Sequence, residues 1–262
     1  NGTIGFVAPS FGCNIEPYKT SFNHALEKFH EMGYQTTLGP NCFEGSGIGI
    51  SNTPEKCAAE LNKMYLSDEA DAIISCGGGE LMCEILDDVD FDAIKAANPK
   101  WYMGYSDNTN FTFLLTTICD VASIYGPCAG TFGMEPWDES IEDCFSLFTG
   151  KKLTMQSYQL WEKEGLRDEE HPLEPYNLTE QSLVRSFMTK KDQAGEVQAF
   201  ETEGNIEFKG RLIGGCMDCL VNLTGTKFDQ VKSFNERYKE DGIIWYLESC
   251  DLNVFGIRRA IW

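Results

Sequence analysis

The stretch Gly104-Tyr105-Ser106-Asp107-Asn108-Thr109 constrains the fold more than any other part of the sequence. Before it, Lys100-Trp101-Tyr102-Met103 is aromatic and apolar and reads as a buried strand. After it, Phe111, Leu114, Leu115 and Ile118 fall at i, i+3, i+4 and i+7, the spacing of one helical face. A strand that turns at once into a helix puts the turning residue at the rim of a sheet. The helix then directs its free N–H groups and positive dipole end at that residue. Gly104 gives the turn room. Ser106 has two readings here. It is the serine of a nucleophile elbow, with a partial match to G-x-S-x-G because Asn108 replaces the second glycine. Alternatively, it caps the helix and does nothing more.

The same alternation runs through the first half of the chain. Thr3–Ala8 reads as a short buried strand stopped by Pro9-Ser10, and Phe22, Leu26 and Phe29 mark a helix ending near Gly33. Tyr34–Thr37 is a second strand. Gly45–Gly49 is glycine-rich, but no strand feeds it directly, so it reads as a flexible loop and not as a dinucleotide fingerprint. Thr53 stands as N-cap with Pro54 at the first helical position, ahead of a buried stripe of Cys57, Leu61, Met64 and Tyr65. Asp71–Cys76 is a strand running into Gly77-Gly78-Gly79, with a helix signalled by Leu81, Ile85 and Leu86; Val121–Tyr125 is another strand. Alternation to about residue 148 predicts a mostly parallel sheet covered by helices. Ligands on such sheets gather at the carboxyl ends of the strands, where both the triple glycine and Ser106 fall. The glycines either present backbone N–H groups to a phosphate or an oxyanion, or only form a tight turn.

Beyond Gly150 the texture changes. Residues 162–175 carry six acidic side chains with Pro172 and Pro175 and read as a solvated connection. Short strands follow at 197–200, 205–208 and 211–215, then a helix from 216 and a buried strand, Ile243–Leu247, ending in Glu248. These boundaries divide the chain into an α/β domain over 1–150, a connection over 151–180 and a smaller β-rich domain over 181–262. Glu248, after five apolar residues, is either the carboxylate that orients a histidine in a catalytic triad or a strand-end ion pair. Cys216-Met217-Asp218-Cys219 is a lone CxxC with no second pair, and reads as two core cysteines one helical turn apart.

Composition narrows the function classes. With 41 acidic residues against 21 basic ones, the formal charge of −20 argues against a nucleic-acid partner. No apolar run approaches the roughly 20 residues that a membrane helix needs. Eleven cysteines, an odd count scattered through strands and helices, fit the reduced thiols of the cytoplasm better than a disulfide framework.

Several pieces occur in order: Thr3–Ser10, Cys76–Gly79, Met103–Asp107, Tyr125–Pro127, Arg211–Gly215 and Leu247-Glu248. Together they resemble the serine LD-carboxypeptidases, the family that also holds the microcin C immunity peptidases. The resemblance spans nearly the whole chain. It implies an α/β N-terminal domain of flavodoxin- or amidotransferase-like type carrying the nucleophile, and a smaller β-rich domain carrying the rest of a Ser-Glu-His triad. Ser106 matches the nucleophile and Glu248 the orienting carboxylate. The implied oxyanion hole uses the backbone N–H groups of Gly78 and Asp107, with Gly77 and Gly79 beside the substrate. The implied reaction is hydrolysis of an L,D-peptide bond, releasing terminal D-alanine from a cytosolic murein tetrapeptide during peptidoglycan recycling, with no metal or organic cofactor. Two alternatives stand beside it: an immunity-type hydrolase of aminoacyl-nucleotide antibiotics, and a non-catalytic phosphate- or nucleotide-binding module built on the glycine turn. The expected partners are a small peptide or peptidyl-nucleotide substrate and a second copy of the chain. The departure is the histidine, which in the family follows the glutamate. Here His24, His30 and His171 all precede Glu248. The chain starts at Asn1, and Phe255–Trp262 reads as a helix cut short at a buried-looking Trp262. The expectation is that the sequence lacks a C-terminal portion holding the base.

Overall fold

The computed structural model describes residues 2–202, 204 and 206–262. In its first half, strands and helices alternate. β1 (Thr3–Val7) is followed by α1 (Tyr18–Glu31), β2 (Gln35–Leu38), α2 (Pro54–Leu66), β3 (Ala72–Ser75), α3 (Phe91–Ala96), β4 (Tyr102–Gly104), α4 (Thr109–Thr117), β5 (Ile124–Tyr125) and α5 (Glu139–Phe148). The five strands form one sheet in the order β2-β1-β3-β4-β5, every pair parallel. Strand alternation sends neighbouring side chains to opposite faces. Ile73 and Tyr102 accordingly join the core beneath α2 and α4, while Ile74 and Met103 join the core built on Phe22, Phe29, Phe132 and Phe145 of the other face. Apolar burial on both faces is why β1, β3 and β4 are short of polar residues, whereas the edge strand β2 is polar and only partly covered. The chain direction across the sheet reverses between β1 and β3, so the crevice for a ligand opens beyond the ends of β1, β3 and β4.

α4 departs from the one-sided helix that its spacing predicts. All but one of its residues are buried, because the sheet covers one side and the C-terminal half of the chain the other. Of its buried threonines, Thr117 returns its hydroxyl to the Phe113 carbonyl four residues back, and the Thr109 hydroxyl accepts the Cys216 N–H.

The second region holds an antiparallel pair, β6 (Leu160–Glu162) with β7 (Leu178–Gln181), and an exposed hairpin, β8 (Phe187–Lys191) with β9 (Val197–Glu201). A β-α-α-β unit follows: β10 (Arg211–Cys216), α6 (Met217–Leu223), α7 (Val231–Tyr238) and β11 (Ile243–Glu248), with β10 and β11 parallel. α8 (Val254–Ile261) comes last.

Several local expectations need correction. Residues 206–208 form no strand, and Asn205 lies outside the described residues. Thr53 stands at the N-cap of α2, but its side chain makes no capping bond. The helix after the triple glycine is a 3-10 segment, Met82–Asp88, and Val121–Ser123 stay outside β5. Trp262 is fully exposed, not buried, because α8 buries none of its side chains. Among the described residues, no helix is long and apolar enough to cross a membrane.

Candidate active site

Ser106 stands directly after β4 with φ of +59°, in the left-handed region that non-glycine residues avoid. It opens a 3-10 turn, Ser106–Asn108, that runs straight into α4. Its side chain caps neither segment. The capping reading therefore fails, and a strained serine at a strand-to-helix turn remains.

Three loops close around this residue. The glycine turn after β3 lies nearest: a Cβ added to Gly78 would stand 3.3 Å from Ser106 Cβ and 3.4 Å from its Oγ. Gly78 is thus the member of the triplet whose bare face meets the serine. The corresponding faces of Gly77 and Gly79 meet Phe11 and Ser10 in the loop after β1. The Phe11 N–H donates to the Gly78 carbonyl at 2.6 Å. The loop at 45–49, expected to be flexible, is fastened behind the turn together with the residues that follow it. Its Gly49 carbonyl accepts from the N–H groups of Glu80 and Leu81, and the Ser51 hydroxyl donates to the Ala8 carbonyl.

Asp107 ties the loops after β1 and β3 to the elbow. Its buried carboxylate accepts from the Ser10 hydroxyl, from the Met82 N–H at 2.8 Å and from Asn110 Nδ2 at 3.0 Å. Burial raises its pKa above the usual carboxylate range, and those hydrogen bonds oppose the rise. The side chain of Asp107 is thus committed to structure. Its backbone N–H belongs to the first turn of the helix, where N–H groups have no intrahelical partner.

Glu248 ends β11, half-buried, and reaches Ser106 through one intermediary. The Tyr125 hydroxyl donates to Glu248 Oε1 and accepts the Ser106 backbone N–H at 2.9 Å. The Ser106 backbone and the Glu248 carboxylate thus share one hydrogen-bond partner, the Tyr125 hydroxyl. Burial, and after it the adjacent Glu248 carboxylate, pushes the Tyr125 hydroxyl far above its ordinary pKa, so it remains a donor. Sequence reasoning missed Tyr125 and Ser10 as site residues. Each ends or follows a strand of a parallel sheet, which is the position where such residues converge.

None of the three histidines serves Ser106. His24 Nδ1 pairs with the Gly133 carbonyl, His30 Nε2 with the Thr36 hydroxyl, and exposed His171 with Asp168. The CxxC cysteines are buried, as read, but they lie at the site and not in a remote core. Cys219 Sγ approaches the Ser106 carbonyl and Asp107 Oδ1 at 3.8 Å, and Cys216 faces Asp218. Beside Ser106 lies a cavity of about 210 Å³ whose lining includes Glu80, Asp218 and Asp251 and no basic residue. A larger cavity, about 750 Å³, is lined by Trp161, Tyr158 and Tyr176. Cys128 first, then burial and Tyr176, push the hydroxyl of Tyr105, the residue before Ser106, above its ordinary pKa.

The chain thus places a strained serine after β4 of a parallel sheet, backed by a glycine turn, and comparison with known proteins gives this arrangement a context. Residues 4–126 match the family model described as the LD-carboxypeptidase N-terminal domain, so the resemblance read from the motifs holds. The microcin C7 self-immunity protein MccF of Escherichia coli is 28% identical over 229 residues, covering 86% of this chain and 62% of that protein. A probable murein peptide carboxypeptidase of Bacillus subtilis (strain 168) is 30% identical over 132 residues, covering 49% of this chain and 39% of that one. The chain thus spans less than two thirds of the length of either relative. Among solved structures, MccF in an inactive, ligand-free form superposes with a TM-score of 0.77 at 24% identity, covering 98% of this chain and 71% of that one. That likeness establishes the fold. MccF has also been solved with glutamyl sulfamoyl guanosine and with aspartyl sulfamoyl adenosine.

Proposed function

We propose that this protein is a serine hydrolase in which Ser106 attacks an acyl carbon and Glu248 orients the base. The observation that carries the reading is the strained Ser106, joined to Glu248 through the Tyr125 hydroxyl. A serine hydroxyl needs a base to become a nucleophile near neutral pH. In this scheme the base is a histidine that none of His24, His30 and His171 supplies, since all three are engaged elsewhere. The Gly78 and Asp107 N–H groups receive the oxyanion of the tetrahedral intermediate, in a pocket already organised before substrate arrives. Gly77 and Gly79 shape the turn that holds the Gly78 N–H in place. The scheme needs no metal or organic cofactor, and the site suits a small substrate.

For the substrate, two observations favour an aminoacyl nucleotide over a murein tetrapeptide, reversing the order suggested by the sequence. A terminal D-alanine would bring its carboxylate next to the scissile bond, into a cavity lined by Glu80, Asp218 and Asp251. The free ammonium group of an aminoacyl compound meets the opposite charge there. The larger cavity adds an exposed Trp161 ring, a stacking face for a nucleobase. The longer match to the immunity protein supports the same choice.

The test is turnover of aspartyl sulfamoyl adenosine beside murein tetrapeptide, with intact protein and with Ser106→Ala. The expected result is cleavage of the nucleotide and a loss of about 10⁴-fold or more in the variant, because attack and proton transfer act as one unit. If Ser106→Ala retains a tenth of the rate, the serine mechanism is wrong. If the tetrapeptide alone is cut, the substrate assignment is wrong.

A further inference from the structure

The oxyanion hole proposed above joins two loops that are separate in sequence, and nothing in either loop alone fixes their spacing. Asp107 ties them at Met82, beyond the glycine turn, and a second side chain spans them at the turn itself. Asn108, fully buried, donates from Nδ2 to the Gly77 carbonyl at 2.8 Å and to the Tyr105 carbonyl at 3.2 Å. Its Oδ1 accepts the Tyr102 hydroxyl at 2.6 Å, which fixes which end of the amide faces the carbonyls.

Both bonded carbonyls belong to peptide units that matter to the chemistry. In a trans peptide the N–H points opposite to the carbonyl. The Gly77 carbonyl is held by Asn108 Nδ2 and by the Ser75 hydroxyl at 3.1 Å, so the Gly78 N–H of the same unit is driven the other way and its direction is set. The Tyr105 carbonyl shares its peptide unit with the Ser106 N–H. That unit is clamped at both ends, by Asn108 on the oxygen and by the Tyr125 hydroxyl on the nitrogen. Clamping it holds Ser106 at its positive φ.

We infer that Asn108 is a positioning residue that fixes the Gly78 N–H and the Ser106 backbone relative to one another through a single amide. This inference rests on the serine-hydrolase reading. It also explains why the second glycine of the elbow pattern is absent. An asparagine there does a job that glycine cannot, and Gly104 leaves it room, since a Cβ at 104 would stand 2.8 Å from Asn108 Cγ.

The experiment compares intact wild-type protein with Asn108→Ala and Tyr102→Phe, using aspartyl sulfamoyl adenosine as substrate and an aminoalkyl boronate as tetrahedral analogue. Losing the alignment of one oxyanion donor lowers kcat by about 10²–10³-fold, and KM should stay within roughly threefold. Boronate affinity should fall in parallel with kcat, while binding of uncleaved substrate in a Ser106→Ala background stays unchanged. Tyr102→Phe frees the amide to rotate and should cost roughly tenfold in kcat; it carries the test if Asn108→Ala does not fold. Wild-type kcat in both variants overturns the inference. So does a loss in which substrate binding falls as far as boronate binding, which is what a merely structural residue produces. Activity in Ser106→Ala would instead sink the serine reading on which the inference rests, so the two failures are separable.

Discussion

The left-handed conformation of Ser106 has a consequence for stability that can be measured without any substrate. A non-glycine residue held in this region costs about 1–2 kcal/mol. Ser106→Gly relieves that cost but adds back roughly 0.4–1 kcal/mol of chain entropy in the unfolded state. The net effect is a protein more stable than wild type by about 0.5–1 kcal/mol, or about 1–2 °C in Tm at this chain length. Ser106→Ala retains the strain and loses no capping bond, since the side chain makes none, so it should match wild type within about 0.5 kcal/mol. Urea denaturation of the three proteins at one pH tests this directly. A capping serine forecasts a different order, with alanine about 1 kcal/mol and glycine a few tenths below wild type. Finding both variants less stable than wild type, with alanine lower by about 1 kcal/mol, would refute the strained-elbow argument.

Tyr125→Phe should lower kcat/KM by roughly 10–100-fold and stability by about 1–2 kcal/mol, because it strands the Ser106 N–H and Glu248 Oε1 together. Glu248→Gln keeps the shape and should cost about 10³-fold or more in kcat; a wild-type rate there would leave Glu248 a bystander. Gly78→Val would push a branched side chain onto Ser106 and should abolish turnover while leaving the far-UV spectrum intact; an active variant would mean that the oxyanion is held elsewhere. Asp107 carries the pH prediction. Its folded pKa is raised, so the folded state holds the proton more tightly than the unfolded chain, and the stability this contributes is present below about pH 4 and lost as pH rises through the folded value. The stability difference between wild type and Asp107→Asn should therefore move against wild type on raising the pH from about 4, and a flat difference would contradict it.

Much of the site was legible because a parallel sheet converts sequence position into spatial position. Once Tyr102–Gly104 and Ala72–Ser75 read as buried strands, the residues just after each had to meet at one edge, and Ser106 and Gly78 do. What escaped were contacts that depend on side-chain direction across loops. Nothing in the run Val121–Tyr125 says that its last hydroxyl will sit between a backbone N–H and a carboxylate 123 residues away. Asp107 read as a backbone donor alone, since a carboxylate beside a serine gives no local sign that Ser10 and Met82 will close on it. The two CxxC cysteines were correctly read as buried, yet their place under Ser106 follows from how α6 docks, which helical spacing does not encode. Trp262 misled for the converse reason: an aromatic residue looks buried in sequence whether or not a surface exists to cover it.

The arrangement of Glu248 depends on a feature of the C-terminal half that the motif Arg211–Gly215 makes possible. β10 lies against the start of α4, and at Gly215 the approach is so close that a Cβ would stand 2.7 Å from the Thr109 side chain. The Thr109 hydroxyl accepts the Cys216 N–H at 2.9 Å, fixing the end of β10 three residues from Ser106 in sequence. Register then carries that fix across the sheet, because Cys216 pairs with Glu248 in the neighbouring strand. Two hydrogen bonds thus connect the C-terminal carboxylate to the elbow by independent routes, one through Thr109 and the β10–β11 ladder, the other through Tyr125. A carboxylate located by only one of them could swing about the single contact. Held by both, it keeps its distance from Ser106 whatever the exposed hairpin β8–β9 does. Under the proposed mechanism, burying α4 on nearly all sides serves the site: the helix that begins at the serine is also the surface on which the glutamate is mounted.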